Sequence, residues 1–174
     1  MKIKSSLFLV LCFMAWTLSG CGYHLAGTGT TLPAHIKTIG VPIFANNTQG
    51  YQVEQKLTGS VTNLLIQRGK YKVVPEDTGV DALLKGTISS VSLVPVVFGS
   101  DGVATQYNVI ITAKVVFTDK IDNKVLFENP AFTFRGQYDI DPNAIQYFDR
   151  QTSAVNKIAK DFAESIVSAI LEGF

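Results

Sequence analysis

The segment 103-VATQYNVIITAKVVFT-118 is the strongest indication of the fold in this sequence. Its residues alternate between a nearly continuous apolar set and a mixed, more polar set, which is the period of a β-strand with one covered face. The apolar face must pack against a second layer of structure, because a face of this kind is stabilised by burial. The apolar set comprises Val103, Thr105, Tyr107, Val109, Ile111, Ala113, Val115 and Phe117.

The segments on either side predict two more long strands, paired antiparallel with the first. The preceding strand runs from about Asp81 to Val97, and its alternation changes phase at Ser89-Ser90, as a β-bulge would require. Gly99 to Gly102 has the composition of a hairpin turn. After a turn at Asp122-Asn123, the third strand runs from Lys124 to about Tyr138, with Pro130 as a bulge or edge mark.

Two helices are predicted to cover the sheet. Apolar residues recur at helical spacing from about Tyr51 to Arg68, where Gly69 would end the helix, and again from Ala154 to Ile170. The start of the second helix is open between a cap at Asp141-Pro142 and a restart at residues 147–149.

Short strands at residues 36–44 and 71–74 flank the first helix. The predicted fold class is α+β. It has two layers: a twisted, mainly antiparallel or mixed sheet of four to five strands, with two helices packed on one face.

The first twenty residues have the layout of a secretory signal. Lys2 and Lys4 give a positive start, Leu7 to Trp16 an apolar core, and Leu18-Ser19-Gly20 a small-residue cleavage zone. The apolar core is shorter than the roughly 20 residues of a transmembrane helix. Cleavage would make Cys21 the new N-terminus.

Leu18-Ser19-Gly20-Cys21 resembles the bacterial lipobox. That resemblance implies S-diacylation of Cys21 and acylation of its amine, and several acyl chains together give a stable anchor. Gly22 follows, rather than the aspartate that resembles an inner-membrane retention signal, so the outer membrane is favoured. The alternative is a secreted protein with a free or buried cysteine. The predicted organisation is a signal peptide at 1–20, a lipidated tether at 21–35, and a single domain at 36–174.

Composition excludes several classes of function. Two of the 15 basic residues lie in the signal, which leaves 13 against 14 acidic residues and no basic field for nucleic acid. Cys12 would leave with the signal and Cys21 would carry lipid, so no disulfide, redox pair or zinc site is expected. Charged residues make up only 17% of the chain, so some apolar surface is expected to meet a partner.

No catalytic, metal-binding or cofactor-binding residue set is predicted. Catalysis would need a nucleophile with a base, paired carboxylates or metal ligands. The two histidines, His24 and His35, lie in or beside the tether, where fixed geometry is not expected. Asp139 and Asp141 precede Pro142 and indicate a loop and a helix cap.

The start of the mature chain gives the most specific resemblance. Cys21-Gly22-Tyr23-His24-Leu25 after a lipobox, then a short tether, strand, helix, long hairpin and C-terminal helix, resembles the lipopolysaccharide-assembly lipoprotein (LptE-like) family. Gln106-Tyr107 and Phe134-Arg135 are weaker marks of it. The resemblance implies a non-catalytic outer-membrane lipoprotein on the periplasmic side. It would form a heterodimer with the large β-barrel that inserts lipopolysaccharide, plug that barrel and assist its assembly. Candidate contacts with the barrel or the glycolipid are Phe98, Tyr107, Arg135 and Tyr138.

Two features leave other interpretations open. The hairpin tip, Gly99 to Gly102, has no Lys or Arg for the phosphates of the glycolipid, so binding through the tip is disfavoured. Arg135, Lys114 or Lys124 could substitute, or could be solvated charges. Residues 36–48, followed by the first helix and the segments 71-YKVVPED-77 and 81-DALLKGTI-88, also resemble a βαβ-type module of other periplasmic lipoproteins. That resemblance would make the chain a structural subunit of another envelope-assembly or secretion machine. A small-ligand carrier is a third interpretation.

Overall fold

The computed structural model describes residues 32–50, 52–69, 71–139 and 147–172, with side chains of the last segment from residue 156. Within these ranges, six strands and two helices form an α+β fold, which confirms the predicted class. The strands are β1 (Thr38–Gly40), β2 (Ala45–Asn46), β3 (Lys72–Val74), β4 (Ala82–Phe98), β5 (Ala104–Asp119) and β6 (Lys124–Asp139). The helices are α1 (Val53–Arg68) and α2 (Tyr147–Glu172).

The sheet is mixed, with strand order β3-β1-β4-β5-β6 and β2 beside β4. The short strands β1, β2 and β3 run parallel to their neighbours, and β4, β5 and β6 form an antiparallel meander. The predicted bulge at Ser89-Ser90 is confirmed by a register shift between Ile88 and Ser90. The bulge at Pro130 is also confirmed, because the register of β5 with β6 shifts between Ala113 and Val115.

The sheet has more strands than the four to five predicted, because the first predicted strand is interrupted at Pro42. Proline has no N–H for the ladder. The strand therefore ends at Gly40 and pairing resumes only at Ala45. Between them, the backbone N–H of Phe44 donates to the Thr58 hydroxyl of α1 at 3.0 Å, so a helix side chain satisfies a group that the ladder would otherwise have used.

Both helices contribute to the core on the sheet face that carries the apolar residues of β5: α2 lies against β6, and α1 lies against α2, β2 and β3. Ile111, Ala113, Val115 and Phe117 are at most 2% exposed, and they meet Phe162 and its neighbours on α2. Phe162 contacts two phenylalanine rings of β6 edge-on, each at a centroid distance of 6.0 Å. None of the helices in the described ranges is long and apolar enough to cross a membrane.

Helix cover ends partway along the long hairpin. The last buried residue of β4 is Ile88, although the strand continues to Phe98. The first buried residue of β5 is Val109. Residues 89–108, which we call the arm, therefore extend beyond the two-layer domain.

Candidate functional site

The two ends of the long strands differ in structure. β5 begins in the arm and ends at Asp119, where the chain from the N-terminal segment joins the domain. At about 3.4 Å per residue, the 16 residues of β5 separate these ends by about 50 Å. The arm and the N-terminal junction are described in turn.

The exposed side chains of the arm are mostly apolar. Between residues 86 and 113, the only charged residue is Asp101, at the tip. Side chains on both faces of the strands are exposed, and six large apolar ones are between 39% and 61% accessible. These are Leu93, Val94, Val96, Val97, Phe98 and Val103. Monomeric soluble proteins rarely expose contiguous apolar surface of this kind, so the arm is the strongest candidate for a partner contact.

The hairpin tip is tightly turned. The N–H of Gly99 donates to the carbonyl of Val103 at 2.8 Å, and the N–H of Gly102 donates to the carbonyl of Gly99 at 3.0 Å. Gly102 has φ of 76°, which glycine adopts without steric cost. The Asp101 carboxylate accepts the N–H of Val103 at 3.0 Å. The only charge of the arm thus also caps its own turn.

The four predicted contact residues do not form one cluster. Phe98 lies at the end of β4, 59% exposed. Tyr107 and Tyr138 face each other across β5 and β6, and their rings stack at a centroid distance of 5.5 Å and an interplanar angle of 10°. Arg135 pairs with Ile110, an odd number of residues from Tyr107, so it projects from the opposite face of the sheet.

The basic residues considered as phosphate ligands lie apart. Lys114 forms an exposed ion pair with Glu128, with 3.5 Å between Nζ and Oε1, which fits a solvated sheet face. Lys124 begins β6 beside Asp119, at the far end of the sheet from the arm. The described residues therefore bring none of these side chains to the hairpin tip.

The N-terminal junction is held by a buried carboxylate. His35 Nε2 and Asp119 Oδ2 are 2.6 Å apart, and Asp119 is 1% exposed. The other Asp119 oxygen accepts the backbone N–H groups of Ile121 and Asp122, at 2.9 and 3.1 Å. The expectation that His35 lacks fixed geometry is therefore wrong.

Electrostatics reinforce this junction. Burial would raise the pKa of Asp119, but hydrogen bonds from the Asp122 backbone, the His35 ring and the Ile121 backbone together hold that pKa below its ordinary value. Beside it, backbone hydrogen bonds from Thr38 and then Lys37 lower the pKa of Asp81. Both carboxylates are therefore held ionised where the N-terminal segment enters the sheet.

The junction also contains a possible metal-ligand set, formed by His35, Asp119 and Asp122. Their ligand atoms lie within 4.8 Å of one another. Both oxygens of Asp119 are already engaged, however, one by His35 and one by two backbone N–H groups. The hydrogen bonding thus accounts for the cluster as a structural element.

Sequence reasoning identified Phe98 but missed its apolar neighbours Leu93, Val94, Val96 and Val97. The feature of the sequence that could have indicated these residues is the absence of charge in this part of β4. Because a buried strand also lacks charge, the exposure of these side chains could not be inferred from it. The lipidation site Cys21 and the start motif Gly22, Tyr23, His24 and Leu25 lie outside the described residues.

Comparison with known proteins gives a family match and matches to solved structures. A family model described as "LptE: Lipopolysaccharide-assembly" matches residues 36–170. Among solved structures, a PelC dodecamer from Paraburkholderia phytofirmans aligns with a TM-score of 0.54 and 14% identity, covering 83% of this chain and 96% of that one. The hypothetical protein CT253 from Chlamydia trachomatis aligns with a TM-score of 0.53 and 8% identity, covering 78% and 95%.

The rare lipoprotein B from Shewanella oneidensis aligns with a TM-score of 0.48 and 15% identity, covering 77% of this chain and 93% of that one. Comparison with curated protein sequences gave no significant match. At these identities, the likeness to PelC and CT253 shows a shared fold.

Proposed function

Because the chain belongs to the LptE lipopolysaccharide-assembly family, we propose that it is an outer-membrane lipoprotein that plugs and helps to fold the lipopolysaccharide-inserting β-barrel. Cys21 carries the lipid, and the domain acts on the periplasmic side as a non-catalytic partner in a heterodimer. The family match covers residues 36–170, the whole predicted domain except its last four residues.

The exposed apolar arm is the observation that supports this role best. A wide barrel leaves an open lumen that a second element can fill. The arm extends beyond its own core, has one charged residue among its 20 residues, and exposes Phe98 and five aliphatic side chains. Large aromatic side chains are frequent anchors in protein interfaces. The proposal therefore places Phe98, Tyr107 and Tyr138 at the barrel contact.

The anchor and the arm have separate tasks. Residues 21–31, eleven in number, can span at most about 39 Å between the lipidated Cys21 and the first described residue, Leu32. The arm tip lies about 50 Å from the junction along β5. The lipid therefore holds the chain near the membrane while the distant arm makes the partner contact.

Direct binding of lipopolysaccharide has less support in the arm. Phosphate recognition favours Arg and Lys, whereas the arm has only Asp101, which caps its own turn. Arg135, on a sheet face, is the nearest of the candidates to the arm in register. The proposal accordingly assigns the arm to protein contact.

Co-purification tests the proposed role. The tagged native protein is solubilised from outer membranes in detergent, purified by affinity, and its companions are identified by mass spectrometry. We expect one large β-barrel protein in near-equal amount. Recovery without a barrel, or with the components of another envelope machine, would overturn the proposal.

Lipidation is tested separately by Cys21→Ala. The variant should remain as a precursor or a soluble form, and its intact mass should lack the acyl chains. Cys12→Ala is the matched control, because Cys12 lies within the signal and its loss should leave lipidation intact. Full acylation of Cys21→Ala would refute the anchor.

A structural subunit of another envelope machine is the second candidate, and one observation favours it. The fold aligns over 96% of a PelC chain that forms a dodecamer. In this case the arm would contact further copies of the same chain. Light scattering of the material that is affinity-purified from solubilised outer membranes distinguishes the candidates. A large homo-oligomer supports the second candidate, and a one-to-one heterodimer with a barrel supports the first.

A further inference from the structure

The outer edge of β4 changes character at Ile88. On that side, β1 pairs with Ala82 and Leu83, and β2 pairs with Thr87 and Ile88. The N–H of Asn47 then donates to the carbonyl of Ile88 at 3.0 Å. Within the described ranges no strand pairs with this edge beyond that point, although β4 continues for ten more residues. The chain after β2 turns away, because the Asn46 side chain accepts the N–H of Thr48 at 2.9 Å.

The two long edges of the sheet differ in how they are protected. β6 has exposed charges along its length and a bulge at Pro130, and natural proteins use charges, proline and bulges to prevent the addition of another strand. These charges are Lys124, Glu128, Arg135 and Asp139. The β4 edge from residue 89 to residue 98 has none, and its interruptions are the bulge at Ser89-Ser90, Pro95 and the register shifts near Pro95. Residues 89–94 therefore form an edge segment without charge or proline, which begins at the bulge and ends before Pro95.

The side chains of this segment are suited to a neighbouring strand. Small serines, Ser90 and Ser92, alternate with Val91 and Leu93. Leu93 is 54% exposed and Val94 is 44% exposed, so a strand alongside could bury apolar surface on both faces of the sheet. Six residues is a usual strand length.

We propose that residues 89–94 of β4 accept a strand from the barrel partner, so that the arm extends the sheet across both proteins. This inference rests on the proposed function and specifies how the contact is made. The occupant is a strand of a β-barrel, because such a chain has unsatisfied strand edges until the barrel closes. The added strand lies in line with β2, and backbone hydrogen bonds supply the pairing.

Strand addition gives the arm a role in folding as well as in plugging. An incoming strand that pairs with 89–94 has its register restricted by the alternation of serine and apolar residues, because a shift of one residue moves every side chain to the other face. The β4 edge would thus hold one strand of the partner in place while its remaining strands pair.

Hydrogen exchange of the co-purified complex tests the inference. Amides in residues 89–94 should exchange at least about tenfold more slowly in the complex than in the free protein. If the complex forms and their exchange is unchanged, strand addition is wrong while the proposed function stands. If no barrel co-purifies, both proposals fail.

Two variants that each introduce a lysine also test strand addition. Ser92→Lys places an exposed charge on the open edge, and we expect it to reduce the yield of complex by about tenfold, because pairing would bury the ammonium group. Thr133→Lys is the matched control, an exposed position on β6, and should leave the yield unchanged. Thermal unfolding should match the wild type for both. Normal yield and normal protection with Ser92→Lys would overturn the inference.

Discussion

Replacing Phe98 with alanine should weaken partner binding strongly while leaving the fold intact. Phe98 is 59% exposed, which for a phenylalanine of about 200 Å² leaves about 120 Å² of apolar surface available to a partner. At about 25 cal/mol per Å², complete burial is worth about 3 kcal/mol, or about 150-fold in Kd. Because interface burial is seldom complete, we expect a loss between about tenfold and 100-fold.

The assay compares Phe98→Ala with Ile121→Ala, an exposed apolar residue at the opposite end of β5. Ile121 is 52% exposed, so truncation removes a comparable share of accessible apolar surface. Both variants should unfold in urea within about 0.5 kcal/mol of the wild type, because each side chain is largely solvated. Titration of labelled protein against the detergent-solubilised barrel gives the Kd values. Equal affinities for the two variants would refute assignment of the partner contact to the arm.

Three further predictions concern the stability of the domain. Phe162→Ala should lower the free energy of unfolding by about 3–5 kcal/mol, because this side chain is fully buried between two rings of β6; a loss below about 1 kcal/mol in urea unfolding would contradict the described core. Gly86→Ala should cost about 1–3 kcal/mol in the same assay, since its Cβ would lie 2.6 Å from the ring of Phe44, and an unchanged midpoint would mean that this ring moves freely. Asp119→Asn should make stability less sensitive to acid. The pKa of Asp119 is lowered in the folded state, so its stabilising contribution is complete above its unfolded pKa and is lost as pH falls through the folded value. Identical pH profiles between pH 7 and about pH 2 for the variant and the wild type would contradict the role of the His35 junction.

The long hairpin could be predicted because its signals are local. The alternation of β5 and the phase change at Ser89-Ser90 are readable within a few residues, and both are confirmed. Pro42 likewise predicted that one backbone N–H would be missing from the hydrogen bonds between strands. That the N–H of Phe44 would instead donate to Thr58 depends on where α1 packs, which no local pattern contains.

The functional surfaces were harder to predict because they depend on distant pairings. His35 and Asp119 are 84 residues apart, and nothing near either residue indicates the other. The stacking of Tyr107 on Tyr138 follows from the register of β5 with β6, which a single bulge changes. The exposure of Leu93 and its neighbours depends on where the helices stop covering the sheet, and composition does not specify that length.

The junction at His35 has a mechanical consequence for the proposed anchoring through Cys21. His35 is attached to the end of β5, and the adjoining Lys37 and Thr38 are attached through Asp81 to the start of β4. A pull on the N-terminal segment is therefore transmitted to β4 and β5, which are long and paired with each other, and the three-residue β1 does not carry it alone. Because Ala82 pairs with Asp119, both attachments lie at the same end of the hairpin, and tension is shared between β4 and β5. Force applied at the proposed anchor would thus be carried along the strands that continue into the arm.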